Sequence, residues 1–503
     1  MIIISLFQYI VKIHALLSSF LLFFLFYSNV ANANYTYEEL SKKTTKEIYD
    51  SLEWKNILHY DDRKSVINSN SDFFLSSDGY INPKSEYEAT LKSLTNEASL
   101  NDKHTICMYP ARFNYIVSSL NLSKELFPKP NCKEYEEYKK NVLFENVYIV
   151  FASENNFSPS SMMGHTFLKI DGGEKSHAFS YFAALNNADS IKFYIDILTS
   201  GIDGAYILSP YIEKSSEYLY KEQRSLWEFK LDLNDKDKIR LKEHLWELKE
   251  KNIKYSLLSH NCNTALISIL KVANKDFSVE AIKPFITPVE YIQKLHDDNK
   301  ISDISIEPTT TQRTIIEKFG LNFVGNAPKP ARLSISQDLS NDFTNVNISP
   351  VYQDIRDISN AYFPDLESKM FDLSINYNST NKKIIFDKVD ILKMKSVIDY
   401  PSTKSLSKYF RLGFENDLFN EETELKPVVE FGLGTSKKIS TTSVYILPKI
   451  GYHYDNYSNF YLSSEIGAIS RIGDNIKIIN SYEKYLNSKD TNIGFNEKYN
   501  FYI

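Results

Sequence analysis

The last third of this chain alternates, residue by residue, between two kinds of side chain. In Tyr409–Glu415, Phe410, Leu412 and Phe414 fall on one side while Arg411, Gly413 and Glu415 fall on the other. Val444–Tyr454 repeats the pattern, with Ile446, Ile450, Tyr452 and Tyr454 opposite Lys449, Gly451 and His453. Phe460, Leu462 and Ile466 do so again, opposite Tyr461 and Glu465. A period of two is the period of a strand, whose successive side chains point to opposite faces. About eight to ten such segments, joined by polar turns such as Asp455–Asn459, fit within residues 331–503. The chain is therefore expected to end in an antiparallel β-domain. Two architectures share this texture: an outer-membrane-type barrel with aromatic side chains toward lipid, and a soluble β-sandwich or barrel. An excess of 35 Tyr and 32 Phe over 3 Trp and 15 Gly suits amphipathic β structure of either kind.

The opposite end reads as an export signal. Lys12 and His14 precede an apolar run from Ala15 to Tyr27, and Ala31-Asn-Ala33 offers the small residues of a cleavage site. The assignment is residues 1–33 as signal, with an uncleaved anchor as the alternative because Met1–Ile10 is itself apolar. No other run approaches the roughly 18 apolar residues of a membrane helix. A net charge of -6 supplies no basic footprint, so nucleic acid is not an expected partner. Export places the three cysteines in an oxidising compartment. Cys107 and Cys132 lie in one segment and Cys262 far downstream, so the economical pairing is Cys107–Cys132, worth roughly 3 kcal/mol in the chain-entropy account. That leaves Cys262 free, and a free thiol kept in such a compartment is a candidate for reactivity.

Residues 34–140 read as a mainly helical region, since charged faces with scattered apolar positions replace any period of two. Asn146–Ala152 is a short continuous apolar run, hence a buried strand. After a polar loop, His165–Ile170 and Ser176–Phe182 flank Asp171-Gly-Gly173 and form a hairpin. Residues 190–224 read as loop and helix punctuated by Gly201 and Gly204. Trp227–Leu233 alternates as a strand, and Asn234 caps a helix to about Lys251. Cys262 follows Ser259 and Asn261, both cap residues, and precedes Ala265, Leu266, Ile269 and Leu270 at helical spacing. It would thus sit in the first turn of a helix, where unpaired N–H groups and the dipole favour a thiolate and could hold an oxyanion. A small buried hydrophobe explains a lone cysteine equally well. Residues 141–300 form this unit, 301–330 a Pro-punctuated linker, and 331–503 the β-rich domain.

A thiol nucleophile needs a base, and neutral histidine is the usual one. Of nine histidines, His59, His104, His244 and His296 sit in polar or helical surroundings that solvated faces explain. His260 reads as a capping or surface side chain and His453 belongs to the far domain. His165 and His177 remain, paired across the hairpin. No cluster has metal-ligand spacing, and neither metal nor cofactor is expected.

Ser161-Met-Met-Gly-His-Thr-Phe-Leu-Lys-Ile170, Leu226-Trp-Glu-Phe229, Leu245-Trp-Glu-Leu248 and Leu257-Leu-Ser-His-Asn-Cys262 resemble the Lnb N-terminal periplasmic domain family. The Cys107-Met-Tyr-Pro-Ala-Arg112 and Cys132 segment is similar to its upstream companion region, so that the resemblance covers about residues 100–300. It implies an α+β fold with a permuted papain-like (NlpC/P60-type) domain, in which the histidine strand precedes the cysteine helix. It further implies a lipoprotein N-acyltransferase, moving an acyl chain from phospholipid through a thioester on Cys262 to an amine. Carried over residue by residue, Cys262 is the nucleophile, His165 the base and His177 the orienting third group, with Ser180 and Asn186 as substitutes for the last. The family's acyltransferase carries membrane helices after this domain, whereas this chain carries β texture. An amidase cutting cell-wall peptide would use the same dyad. A non-catalytic envelope module would use neither.

Overall fold

The computed structural model describes residues 34–502 apart from 68–71, 155–163, 185–190, 258, 280–285, 320–328, 330, 339–342, 358–364, 381, 404–405, 417–423, 454–458, 474–475 and 490–491. The expected signal lies outside the described residues. The chain divides into two compact units, one reaching Asn141 and including Arg240–Lys251, the other comprising Val142–Ile239 and Asn252–Ile503.

The first unit is helical. Helices α1 (Tyr37–Lys43), α2 (Leu52–Ile57), α3 (Pro83–Leu94), α4 (Pro110–Ser119) and α5 (Lys133–Asn141) carry it. Thr36, Ser51 and Asn82 cap the first three by accepting from a backbone N–H of the first turn, which satisfies groups that the helix itself leaves unpaired. Trp54, Tyr87 and Ile116 are fully buried in the core. So is Arg112, sandwiched between the rings of Phe73 and Tyr109 at 4.3 and 4.2 Å. Its guanidinium meets Glu86 at 2.5 Å and Glu247 at 3.8 Å, the pairing that a buried charge requires. The Cys107–Cys132 disulfide forms as the cysteine arithmetic expected.

Three histidines assigned to solvated faces are buried instead. His59 and His244 share a 2.7 Å contact between their Nε2 atoms, and the His104 ring accepts from Ile106 N–H at the start of the short helix Thr105–Met108. Polar neighbours in sequence signalled solvent, but each ring has a partner that only the fold supplies.

The second unit begins with a seven-stranded antiparallel sheet. Its strands are β1 (Asn146–Ala152), β2 (His165–Asp171), β3 (Ser176–Ala183), β4 (Ile202–Pro210), β5 (Leu226–Leu231), β6 (Asn252–Tyr255) and β7 (Ile301–Glu307), in the spatial order β6-β4-β3-β2-β1-β5-β7. Helices α6 (Tyr211–Ser216), α7 (Cys262–Ala273) and α8 (Pro288–Asp297) accompany it. The β2–β3 hairpin and the α7 start agree with the sequence reading. β4, β6 and β7 were not expected. β4 crosses the stretch read as loop because Gly204 permits close strand contact: a Cβ there would lie 2.9 Å from both the Ile253 and Phe182 carbonyl oxygens. β7 and a helix at Thr310–Phe319 occupy much of the expected linker, and β7 pairs with β5 along its length.

The rest of the unit is an eleven-stranded antiparallel sheet: β8 (Arg332–Asp338), β9 (Phe343–Ser349), β10 (Val351–Gln353), β11 (Leu366–Asn378), β12 (Lys383–Ser396), β13 (Ser407–Glu415), β14 (Lys426–Ile439), β15 (Thr442–His453), β16 (Asn459–Ile472), β17 (Ile476–Lys489) and β18 (Asn492–Tyr502). Neighbours in sequence pair in space, with β10 set on β11. Among the described residues β8 and β18 remain edges, so the outer-membrane-type barrel is corrected to a sheet that does not close. It is nevertheless strongly curved, as twist demands of so many strands. Lys395 on β12 reaches Glu465 on β16, and Asp365 ahead of β11 pairs with Arg471 and Lys477 at 2.9 Å each.

Candidate active site

α7 begins at the thiol. Asn261 is its cap, with Oδ1 accepting from the N–H groups of Asn263 and Thr264 at 3.0 Å each, while the Thr264 hydroxyl accepts from Asn261 N–H at 2.9 Å. This reciprocal arrangement is local chemistry that the sequence Asn-Cys-Asn-Thr specifies. Ala265, Leu266, Ile269 and Leu270 turn inward and are buried, as their spacing predicts. Cys262 is the free cysteine and is itself buried, at 8% exposure.

The helix start alone would draw the thiol toward thiolate. Burial wins instead: it pushes the Cys262 thiol up, against the Thr166 N–H and hydroxyl, the Arg224 guanidinium and the Asn263 N–H. The thiol therefore rests protonated and needs a base. The Tyr255 hydroxyl bonds to Cys262, and burial foremost holds that phenol well above its usual range. Thr166 Oγ1 is near enough to favour the thiolate, yet makes no ordinary hydrogen bond among the described residues.

His165 opens β2. Gly164 precedes it at φ +79, where a Cβ would come within 2.2 Å of the Phe151 ring, so this turn into the strand admits only glycine. The His165 ring stacks on Phe182 at 5.0 Å, with Tyr218 and Phe167 at 6.1 and 6.2 Å. Burial, then Arg224 and Lys214, hold its pKa down at about 3, and its Nε2 is sealed from solvent with no hydrogen-bond partner among the described residues. It is a neutral imidazole at physiological pH. Side chains alternate along a strand, so Thr166 projects toward the thiol and His165 toward the aromatic cluster on the other face of β2. Arg224 and Tyr218 act on both groups.

His177 stands elsewhere. It pairs with Ile170, five residues beyond His165 and so about 16 Å further along the strand. The structure does not bring it to Cys262. The same register, continued, sets Phe182 opposite His165 and Ser180 opposite Phe167, on one sheet face; the Ser180 hydroxyl is buried without a partner among the described residues. Asn186 lies outside the described residues. His260, read as a cap or surface group, is 2% exposed: its ring lies 4.9 Å from that of Tyr181 and its Nε2 meets the Tyr206 hydroxyl at 3.4 Å. Burial lowers its pKa to about 4.

Two neighbours of the thiol were missed. Thr166 was legible in principle, since alternation sets it opposite to His165. Arg224 had no local signal. Its Nε donates to the Ser153 carbonyl at 2.6 Å and its Nη2 to that of Ala152 at 2.9 Å, tying off the end of β1, while its guanidinium lies 5.0 Å from the centre of the Tyr218 ring. Among the described residues no group of three or more His, Cys, Asp or Glu could hold a metal ion.

Comparison with known families divides the chain into three matches. Residues 134–298 match the Lnb N-terminal periplasmic domain, 46–119 a domain of unknown function (DUF7843), and 324–500 another (DUF7840). No curated protein and no solved structure matches the chain. The thiol, the β2–β3 hairpin and most of the seven-stranded sheet fall inside the first match, which points to the periplasm or cell envelope.

Proposed function

We propose that the protein is a cysteine-dependent acyltransferase of the cell envelope, with Cys262 as nucleophile. The carrying observation is the address of the thiol: free and buried at a capped helix start, where the N–H groups of Thr166 and of Asn263, the latter also held by the Asn261 cap, favour its thiolate. Those N–H groups suit a developing negative charge. The surrounding hydroxyls of Tyr181, Tyr218 and Tyr255 sit on apolar rings, a setting that suits an acyl chain better than a polar peptide.

His165 is assigned as base because burial keeps it neutral, with Nε2 unbonded, one residue from Thr166. Because the His165 ring stacks on the face of β2 away from the thiol, proton transfer requires it to leave that stack and swing around the start of the strand until Nε2 reaches the sulfur, a movement that substrate entry would have to drive. The thiol proton passes to His165 as sulfur attacks the ester carbonyl of a phospholipid. The ester C–O bond breaks, the departing alkoxide takes that proton, and a thioester remains on Cys262. An amine, such as the terminus of a lipoprotein, then attacks the thioester to form an amide and restores the thiol. The order of parts, the His165 strand before the Cys262 helix, agrees with the permuted papain-like arrangement that the family resemblance implies.

Purified protein incubated with acyl-labelled phospholipid tests the reading. Wild type should retain label that hydroxylamine releases, and Cys262→Ala should retain none. Equal label on both proteins would sink the thioester. No label on either, with Cys262-dependent cleavage of cell-wall peptide, would make the protein a hydrolase.

A further inference from the structure

The eleven-stranded sheet is built with its polarity reversed. Along β15, Ser443, Tyr445, Leu447, Lys449, Gly451 and His453 are buried, while Val444, Ile446, Pro448 and Ile450 are exposed. β14 and β16 follow suit: Glu430 and Glu465 are buried, and Phe431, Leu433, Leu462 and Ile466 are exposed at 52–60%. Register aligns these apolar positions across strands, with Ile446 opposite Ile466, Ile466 opposite Tyr482, and Phe431 opposite Ile450. Toward the other end of the strand order, Ile335 and Ile348 on β8 and β9 and Phe386 on β12 are exposed too. The concave side is occupied by ion pairs: Lys449 meets Glu465 and Glu483 at 3.0 and 2.8 Å, and Arg411 meets Asp390, Glu415 and Glu430.

A water-exposed sheet puts its apolar side chains inward and its charges outward. A contiguous exposed apolar face of this extent is the mark of an interaction surface. We infer that this face lies in the hydrocarbon of a lipid bilayer. Three observations commit it to lipid. From β14 to β17 the exposed side chains are mainly aliphatic and aromatic, with Thr435 and Lys437 near the end of β14 and Lys484 on β17 as the polar ones. The strands from β14 to β17 run 12–14 residues, against the roughly 9–11 that a tilted strand needs to cross. In the bilayer the edges β8 and β18 would have to pair with each other or with another chain, since hydrocarbon satisfies no backbone group. The charges have been taken to the interior and paired, where lipid cannot reach them. No helix among the described residues is long and apolar enough to cross a membrane, so insertion would rest on the strands.

The exposed face ends where the thiol module begins. On β11 and β12 the corresponding positions Met370 and Met394 are 2–3% exposed, and Leu257 packs on Met370 together with Phe371 and Leu392. Leu257 precedes Cys262 by five residues, at most about 17 Å of extended chain. On the reading of Cys262 as an acyl acceptor, this contact holds the thiol at the membrane surface and makes a lipid of the adjoining leaflet its donor. Insertion itself does not depend on that reading.

The experiment reconstitutes the full chain into phosphatidylcholine/phosphatidylglycerol vesicles and floats them on a density gradient. The protein should float, resist extraction by alkaline carbonate, and show at least a tenfold smaller bound fraction in the double variant Ile446→Asp/Ile450→Asp. An Ile450→Trp variant should lose more than half of its added fluorescence in vesicles of phosphatidylcholine brominated along the acyl chains. Protein that stays at the bottom of the gradient, or added fluorescence in the Ile450→Trp variant that is not quenched, overturns the inference; concentration-dependent dimers abolished by Ile446→Asp would assign the face to a second copy of the chain. Flotation of Cys262→Ala should equal wild type, so failure of the acyl-transfer chemistry and failure of insertion are read separately.

Discussion

The two sheets of the second unit use one alternation with opposite polarity. In the seven-stranded sheet Val150, Phe167, Ala178 and Leu226 form a buried cluster, and the Lys169–Glu228 pair is partly open to solvent. In the eleven-stranded sheet Lys449, Glu465 and Glu483 are buried and Ile446, Ile450 and Ile466 are bare. Backbone geometry does not distinguish them. What differs is the medium for which each is arranged: the first hides hydrocarbon from water, the second hides charge. A period of two therefore reports a strand and its two faces, and leaves open which face is turned inward.

The sharpest way to break this comparison is to remove a charge from the inverted interior. Arg411→Ala leaves Asp390, Glu415 and Glu430 buried with one cation fewer, a loss expected to reach about 3–5 kcal/mol or to prevent folding. Denaturant unfolding in mild detergent measures it. A loss below about 1 kcal/mol would mean that water fills the concave side. Next come matched truncations of aliphatic side chains in the two sheets. Leu168→Ala, at a fully buried position of β2, should cost about 2–5 kcal/mol. Ile450→Ala, half exposed on β15, should cost less than about 0.5 kcal/mol, because it packs little inside the protein. Equal losses would show that part of the chain covers Ile450.

The smallest effect concerns pH. His165 and His260 are held by burial at about 3 and about 4 in the folded state, below the unfolded value of about 6.5. As pH falls below about 6.5, the unfolded chain binds protons that the folded chain refuses. Their contribution is thus complete above about 6.5 and is lost toward the folded values, at up to about 1.4 kcal/mol per pH unit per group. Melting temperatures of wild type and His260→Asn between pH 7 and 4 should converge as pH drops. Parallel curves would mean that His260 is protonated in the folded protein.

Much of the site is local and so was legible. The Asn261 cap, the helix start at Cys262, the hairpin at Asp171-Gly-Gly173 and the odd cysteine all follow from residues within a few positions of one another. β4 was not legible, because Gly201 and Gly204 read as punctuation until Ile253 and Phe182 are seen pressed against Gly204. The burial of His59 and His244 was not legible either, since each is the other's partner across 185 residues.

By itself the sequence determined that the chain has an oxidised Cys107–Cys132 pair and a lone thiol, where the thiol helix begins, and that the last third is made of two-faced strands. Only the tertiary structure decided what those faces meet. It set Thr166 rather than His165 toward the sulfur, drew in Arg224, left His177 far along the hairpin, and turned the ion pairs of the large sheet inward. Caps, turns and periodicity are decided by neighbours in the chain; burial and pairing are decided by groups that folding alone brings together.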